Sequence, residues 1–441
     1  MAKTANAITM ARVLLHTPAE GALSIGWLSE VGDNLRVSFD DWYVQDPERP
    51  TLSQLYRGQT DVETRAILTA IDDERLVRIR ALPVYFSNLL PEGPNRERLA
   101  RERNCSVDDE LDLISAAGHD LSGAVEIVPG HDVPANVLEL HGTKHLEPLE
   151  ANAVAAPVED GFSVDGVQTK FSMVSEGQRY VVRRGTNAGA FIAKLPSSKF
   201  RDLALNEFSG YQLARAIGIE TANASIRPIS EFGGPPAVAD NFEEFLLVDR
   251  FDRKFGEDGK VQRVHFEELT QALGLEARHK YKNLQGSMLA LLLTLKASPI
   301  TKVSDFDEFF RRWTAYALMG NTDAHAKNWG FIYRDGINAQ LAPAYDLVCV
   351  AAYFDEAGVN FLGHNRAMDT SLRKWDEDQA EILAKRAGLT TFNRARKVVR
   401  DTRKMAAALW PALLKESPPR MRDTVTSRLA ELAPETKRPS A

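Results

Sequence analysis

The apolar positions of this chain change period several times, and the changes divide it. Near the N-terminus "ALSIGWL" and "NLRVSFD" alternate as paired strands do, and Gly32-Asp33 between them predicts a tight hairpin. "PEGPNRERLARERN" starts with turn residues and becomes helical, and "AAGHDLSGAVEIVP" returns to loop and strand. From Gly130 to Gly161 Pro, Ala, His and Glu accumulate without periodicity, as in a connecting segment. A strand-rich stretch follows, with one helix over Leu203 to Ile217 that Gly218 stops. In it "AFIAKL" reads as a strand holding a lysine, Lys194, and "EEFLLVDRF" as a buried strand. From His265 the pattern is largely helical. Phe306, Phe309, Phe310, Trp313 and Ala317 form a core-facing stripe, Ser304 with Asp307 resembles a capping box, and Gly320 ends that helix. The expected class is α+β. Its parts are a mixed α/β N-terminal subdomain (1–127), a connecting segment (128–161), a strand-rich lobe (162–253), a helical lobe (254–432) and a frayed tail (433–441).

One segment breaks this pattern with chemistry. "GNTDAHAKNWGFIYRDGINAQLAPAYDL" sets Asp323, His325, Asn328 and Asp346 among apolar strand residues. Trp329 to Tyr333 suits a strand, Asp335-Gly336 a two-residue turn, and Ile337 to Leu341 the returning strand. A hairpin brings its ends together, so Asn328 and Asp346 are expected side by side, with Asp323 on the entering loop.

Composition narrows the surroundings of this cluster. The 441 residues are 44% hydrophobic and 26% charged, an ordinary globular balance with room for a sizeable core. A net charge of -7 disfavours nonspecific nucleic-acid binding by the whole surface, although Arg96, Arg98, Arg101 and Arg103 make a local basic patch, read most simply as a solvated helix face. Two distant cysteines, Cys105 and Cys349, form neither a disulfide framework nor a zinc spacing. "MAKTANAITMARVLLHT" lacks a signal-peptide core, and the apolar run Met288 to Leu295 is too short to span a bilayer. The expected location is cytoplasmic, away from membranes.

Protein kinases carry an Asp and an Asn five residues apart in the catalytic loop, and a second Asp after a hairpin. The first Asp takes the hydroxyl proton; the Asn and the second Asp hold magnesium. Asp323, Asn328 and Asp346 have that arrangement. Kinase logic then asks for a strand lysine at the phosphates and a helical glutamate to orient it, which Lys194 and Glu207 supply, and for a hinge strand, which "LLVDRFD" fits. There is no G-x-G-x-x-G, and Asp346 is followed by Leu347-Val348 rather than Phe-Gly.

The motifs "FSNLLPEGPNRERLAR", "GHDLSGAVEI", "SVDGVQTKFSMV", "FIAKLP", "NEFSGYQLARAIGIE", "VDRFDR", "NTDAHAKN" and "LAPAYDL" run in family order over nearly the whole chain. On them it resembles a HipA-type serine/threonine kinase, the toxin of a bacterial toxin–antitoxin pair. The resemblance implies a bilobed kinase-like fold with ATP and Mg2+ as cofactors. It implies Asp323 as catalytic base with His325 nearby, and Asn328 and Asp346 as magnesium ligands. For the nucleotide it implies Lys194 at the phosphates, Gly166, Val167 and Gln168 in the phosphate loop, Asp249 and Phe251 at the adenine hinge, and Tyr345 stacked beside it. Ser163 resembles the serine that family members phosphorylate on themselves. A helix-turn-helix, HipB-like antitoxin is the implied partner, with DNA contacted only in that complex. The implied substrate is a translation component such as an aminoacyl-tRNA synthetase. The chain departs from the family pattern at Asp165, where small residues are common, at Asp249, where Glu is expected, and at Glu268, where Asp is expected. Two other functions remain open at this stage. One is a metal-dependent phosphohydrolase using Asp323, His325, Asp346 and His364; the other is a noncatalytic co-repressor partner of the antitoxin. Taken singly, Asp323, Asn328 and Asp346 are residue types that cap turns; it is their joint spacing that points to catalysis.

Overall fold

The structure, a computed structural model, describes residues 7–130, 137, 150–153, 170–177, 179–182, 189–196, 200–234, 242–256, 259–353 and 366–433. The first sheet is built from β1 (Ala7–Thr17), β2 (Gly21–Val31), β3 (Asn34–Phe39), β4 (Val77–Ile79), β5 (Val125–Pro129) and β6 (Glu150–Ala153). Its order is β4-β3-β2-β1-β5, with β6 parallel to β1. The expected hairpin is present: Val31 pairs with Asn34, and Gly32 takes φ +57, which glycine adopts without cost. Helix α1 (Gly93–Arg103) follows its turn residues as expected. Its arginines do not simply face water. Arg96 pairs with Glu110 at 3.1 Å, and the Arg98 guanidinium lies 4.8 Å from the centre of the Phe171 ring.

The second sheet contains β7 (Lys170–Glu176), β8 (Arg179–Val182), β9 (Phe191–Lys194), β10 (Ala224–Pro228), β11 (Phe232–Gly233) and β12 (Glu244–Asp249), in the order β10-β12-β9-β7-β8-β11. Helix α2 (Leu203–Ala216) stops at Gly218, whose φ is +78. Both faces of this sheet are covered, which is why its strands read as continuous apolar runs. Phe171, Met173, Ala193, Phe245 and Leu247 pack into the core of the N-terminal subdomain. Leu246 and Val248, one step out of phase, pack against α2 and the C-terminal helices.

Beyond the short pair β13 (Arg253–Phe255) and β14 (Val261–Arg263), the C-terminal lobe is built on α3 (Leu284–Ala297), α4 (Val303–Met319), α5 (Phe392–Leu413) and α6 (Pro419–Leu432). Phe309, Phe310, Trp313 and Ala317 of α4 are buried in its core, and Gly320 ends the helix at φ +76. The start of α4 differs from expectation. The helix begins at Val303, two residues earlier than the Ser304–Asp307 box implies, so Asp305 is the residue three beyond the Lys302 cap and accepts its N–H (2.8 Å), while Asp307 lies past the first turn and forms a forked pair with Arg394. His265–Glu268, expected to open a helical stretch, is instead a strand, β15, pairing with β16 (Gly330–Tyr333), which pairs with β17 (Gln340–Leu341). The turn is also longer than the two residues expected. Ile332 pairs with Gln340, so 334–339 form the loop, and the Asp335 carboxylate accepts the N–H groups of Ile337 and Asn338.

Buried polar contacts join the N-terminal subdomain to both lobes. Asp120 accepts from Arg250 (2.9 Å) and Arg253 (3.2 Å), while Asp252 accepts from Arg250 (2.8 Å) and from the Gly123 N–H (2.7 Å). Glu267, fully buried on β15, accepts from Ser53 Oγ, the Gln54 N–H (2.9 Å) and the Tyr333 hydroxyl. Burial outweighs these hydrogen bonds and pushes the Glu267 carboxyl up to about 7. Its folded-state value lies above the free one. The stability it contributes is therefore full below about 4.5 and is lost as pH rises through about 7. Glu267→Gln keeps the shape and cannot ionise. It should match the wild type in urea denaturation near pH 4 to 5 and exceed it by about 2 kcal/mol at pH 8. Identical pH slopes for the two proteins would refute the assignment.

Candidate active site

Lys194 ends β9 at the edge nearest the C-terminal lobe, in register with Leu246 on one side and Lys170 on the other. It is 5% exposed, a position that a lysine occupies only with partners. Its Nζ is 2.7 Å from Glu207 Oε1, on the first turns of α2, and contacts Asp346 Oδ1. Burial opposes its charge, but the two carboxylates raise its pKa above the ordinary value. Asp346 is held down at about 2, where Lys194 and Lys170 outweigh burial. Glu207 is pushed up by burial, against Lys194. The side chain of Tyr211, one turn after Glu207, donates to Glu207 Oε1 (3.3 Å) and accepts the Asp346 N–H (3.2 Å). This close approach requires Gly210, because a Cβ there would lie 1.8 Å from the Leu347 carbonyl oxygen. Asp346 itself sits at φ +53, a left-handed conformation that a non-glycine residue holds at a cost.

Asp323 stands on the loop between α4 and β16. Asn321 Oδ1 accepts its N–H (3.2 Å), and its own carbonyl accepts from Asn328 Nδ2 (2.7 Å). That last bond assigns the Asn328 amide and leaves Oδ1 as the atom to meet a cation. Asp323 Oδ1 accepts from the Tyr281 hydroxyl and lies 3.5 Å from His325 Nε2. Although 30% of the side chain is accessible, the enclosing loop pushes its carboxyl up to about 7, against Tyr281 and Lys280. A base with that value is suited to proton transfer near neutrality. Burial, then Lys280 and Lys327, lower the His325 pKa, so the ring is neutral; it meets Tyr281 edge-on at 4.9 Å between centroids.

Of the residues expected at the adenine hinge, Asp249 ends β12, its N–H bonded to the Asn223 carbonyl (2.8 Å). Phe251 and Tyr345 are brought together, their ring centres 5.6 Å apart, with Phe266 edge-on to both. The Tyr345 hydroxyl donates to the Lys327 carbonyl (2.7 Å). Ser163, Asp165, Gly166, Val167, Gln168 and His364 lie outside the described residues. Sequence reasoning did not single out Tyr281, Tyr211, Phe266, Lys280 or Lys327. Of these, Tyr211 and Lys327 carried a signal, inside "NEFSGYQLARAIGIE" and "NTDAHAKN".

Two family matches bear on this arrangement. The HipA-like C-terminal domain matches residues 162–410, and the HipA N-terminal domain matches residues 20–128. The chain belongs to the HipA family, a family of kinase toxins. It is 31% identical over 394 residues to Y4dM of Sinorhizobium fredii, which bears a kinase name; the match covers 86% of this chain and 87% of that one. It is 29% identical over 301 residues to the serine/threonine-protein kinase toxin HipA of Shewanella oneidensis, covering 62% of this chain and 64% of that one. The HipA chain in a Shewanella oneidensis complex of HipA, HipB and operator DNA has a TM-score of 0.64 at 22% identity, with 96% of both chains covered. That likeness shows the α+β HipA fold. Among the described residues, no helix is long and apolar enough to cross a membrane.

Proposed function

We propose that this HipA-family chain is an ATP- and Mg2+-dependent serine/threonine protein kinase that acts as a toxin. The observation that carries the reading is Lys194, held between Glu207 of one lobe and Asp346 of the other. A kinase needs that triad to seat nucleotide phosphates. It also favours a kinase over a metal-dependent phosphohydrolase, in which Lys194 and Glu207 have no task. The donors fit a hard cation: the ionised Asp346 carboxylate and the Asn328 amide oxygen. Bound Mg2+ would neutralise phosphate charge. Lys194 exchanges part of its carboxylate contact for phosphate oxygens. Asp249 and Phe251 line the adenine side, with Tyr345 beside it. Asp323 orients the acceptor hydroxyl and takes its proton as the oxygen bonds to the γ-phosphorus and ADP departs. His325, neutral and buried beside Asp323, supports that carboxylate.

The remaining assignments rest on family likeness. They are Gly166, Val167 and Gln168 at the phosphates, Ser163 as the site of self-phosphorylation, neutralisation by a HipB-like antitoxin that supplies the DNA contact, and a translation component such as an aminoacyl-tRNA synthetase as substrate. A phosphate on Ser163 adds about -1.5 to -2 charge beside Asp165 and the nucleotide, which disfavours a closed loop. The test incubates the purified chain and cell lysate with labelled ATP, with and without Mg2+, and identifies labelled proteins by mass spectrometry. Mg2+-dependent label on lysate proteins and on Ser163 is expected. ATP hydrolysis without protein labelling would reject the kinase reading.

A further inference from the structure

Tyr281 and the catalytic loop are not anchored by the two kinase lobes alone. Glu92, the residue before α1, belongs to the N-terminal subdomain, where its neighbours Leu89 and Leu90 are buried in the core. Asn88, just upstream, ties this segment to the Leu275 carbonyl at 2.9 Å. From there the Glu92 side chain reaches two ammonium groups: Oε1 lies 3.0 Å from Lys327 Nζ and Oε2 lies 3.2 Å from Lys280 Nζ.

These lysines stand on the two segments that support Asp323. Lys327 is in the catalytic loop itself, one residue before Asn328, and is 4% exposed. The Lys280 carbonyl accepts the N–H of Ala326 in the same loop (3.1 Å), and the next residue, Tyr281, donates to Asp323 Oδ1. One carboxylate thus fastens both the loop carrying the base and the segment carrying its hydrogen-bond donor. The charge count supports a built contact. Lys327 also meets Glu268 Oε2 at 3.3 Å, so among the described residues the Glu92 and Glu268 carboxylates face Lys280 and Lys327 in a largely buried cluster.

We propose that Glu92 is a positioning residue for phosphoryl transfer. It is supplied by the N-terminal subdomain, and it clamps the catalytic loop through Lys327 and the Tyr281 segment through Lys280. The inference rests on the kinase reading of Asp323 and extends it: the N-terminal subdomain completes the catalytic apparatus, so its docking and the rate of transfer are coupled. Among the described residues no contact joins Glu92 to β9 or to the Phe251 and Tyr345 rings; Lys327 meets that pair through its backbone carbonyl, which accepts from the Tyr345 hydroxyl, and its side-chain clamp acts first on the acceptor side. Because Glu268 still holds Lys327, the neutral variant keeps a partner for that buried lysine and should fold.

The test uses the full chain as wild type, Glu92→Gln, Glu92→Asp and Asp323→Asn. Hydrogen exchange by mass spectrometry should show the 279–282 and 321–328 backbone exchanging roughly tenfold faster in Glu92→Gln, with β1, β2 and β9 unchanged. Single-turnover self-labelling with γ-labelled ATP should fall roughly 10- to 100-fold, the cost of a misplaced reacting group, while the ATP concentration for half-maximal rate stays the same. Glu92→Asp, which keeps the charge, should recover part of the rate. Unchanged exchange in 321–328 would overturn the proposal. So would a rate loss matched by weaker ATP binding and by faster exchange throughout, since that is the mark of a merely structural contact. If the wild type labels nothing, the kinase reading fails, and the exchange data still decide whether Glu92 holds the loop.

Discussion

Replacing Asp323 by Asn should lower phosphoryl transfer by roughly 10²- to 10⁴-fold, the usual contribution of a positioned general base. The amide keeps the size of the side chain and can still accept from Tyr281, so the loop should keep its shape. It cannot take the acceptor proton. The variant should also be no less stable than the wild type at pH 8. The Asp323 carboxyl is pushed up to about 7 by burial, so at that pH its ionised form weighs against the fold, and the amide removes that cost. Growth inhibition on overexpression should vanish with the activity. Labelled-ATP assays beside thermal melts check both halves. Phosphorylation by the variant at the wild-type rate would remove Asp323 from the mechanism.

Asp120→Ala should produce the largest loss of stability, about 3–5 kcal/mol, with no change in any proposed catalytic group. Asp120 is 1% exposed and accepts from Arg250, Arg253, the Gly189 N–H and the Ser172 hydroxyl. Removing it leaves two buried guanidiniums sharing Asp252, and burial already lowers the Arg253 pKa to about 10. The neutral Asp120→Asn should lose less, because its oxygen can still accept from one arginine. The same cluster joins the N-terminal subdomain to the strand end carrying Asp249 and Phe251. Urea denaturation followed by tryptophan fluorescence measures the effect. A loss below about 1 kcal/mol would mean that the arginines find other partners and that the cluster is not what joins these parts.

The sequence by itself determined the order of elements and the candidate site, because both are written in local spacing. Alternating runs marked the strands β2 and β3, short apolar runs marked β9 and β12, and a 3.6 period with a final glycine marked α2 and α4. The five-residue step from Asp323 to Asn328 and the hairpin before Asp346 placed those groups on neighbouring backbone. Kinase logic then added Lys194 and Glu207 from far upstream, and the Lys194 ammonium does bridge Glu207 and Asp346.

Only the tertiary structure decided what depends on distant partners. The sequence put the α4 cap at Ser304 and Asp307, but the helix starts at Val303, so Asp305 caps it, and the Asp307 carboxylate pairs with Arg394 from a helix far along the chain. The 334–339 loop is longer than Asp335-Gly336 suggests. One reason lies outside the hairpin: Gly336 and Ile337 offer their carbonyls to Thr51 of the N-terminal subdomain, an attraction that no turn propensity encodes. His265–Glu268 became a strand because Gly330–Tyr333 offered it an edge. The left-handed Asp346, the hydroxyl of Tyr281 and the carboxylate of Glu92 followed the same rule. Each is fixed by polar contacts with residues far apart in the chain, and such contacts leave no period to read.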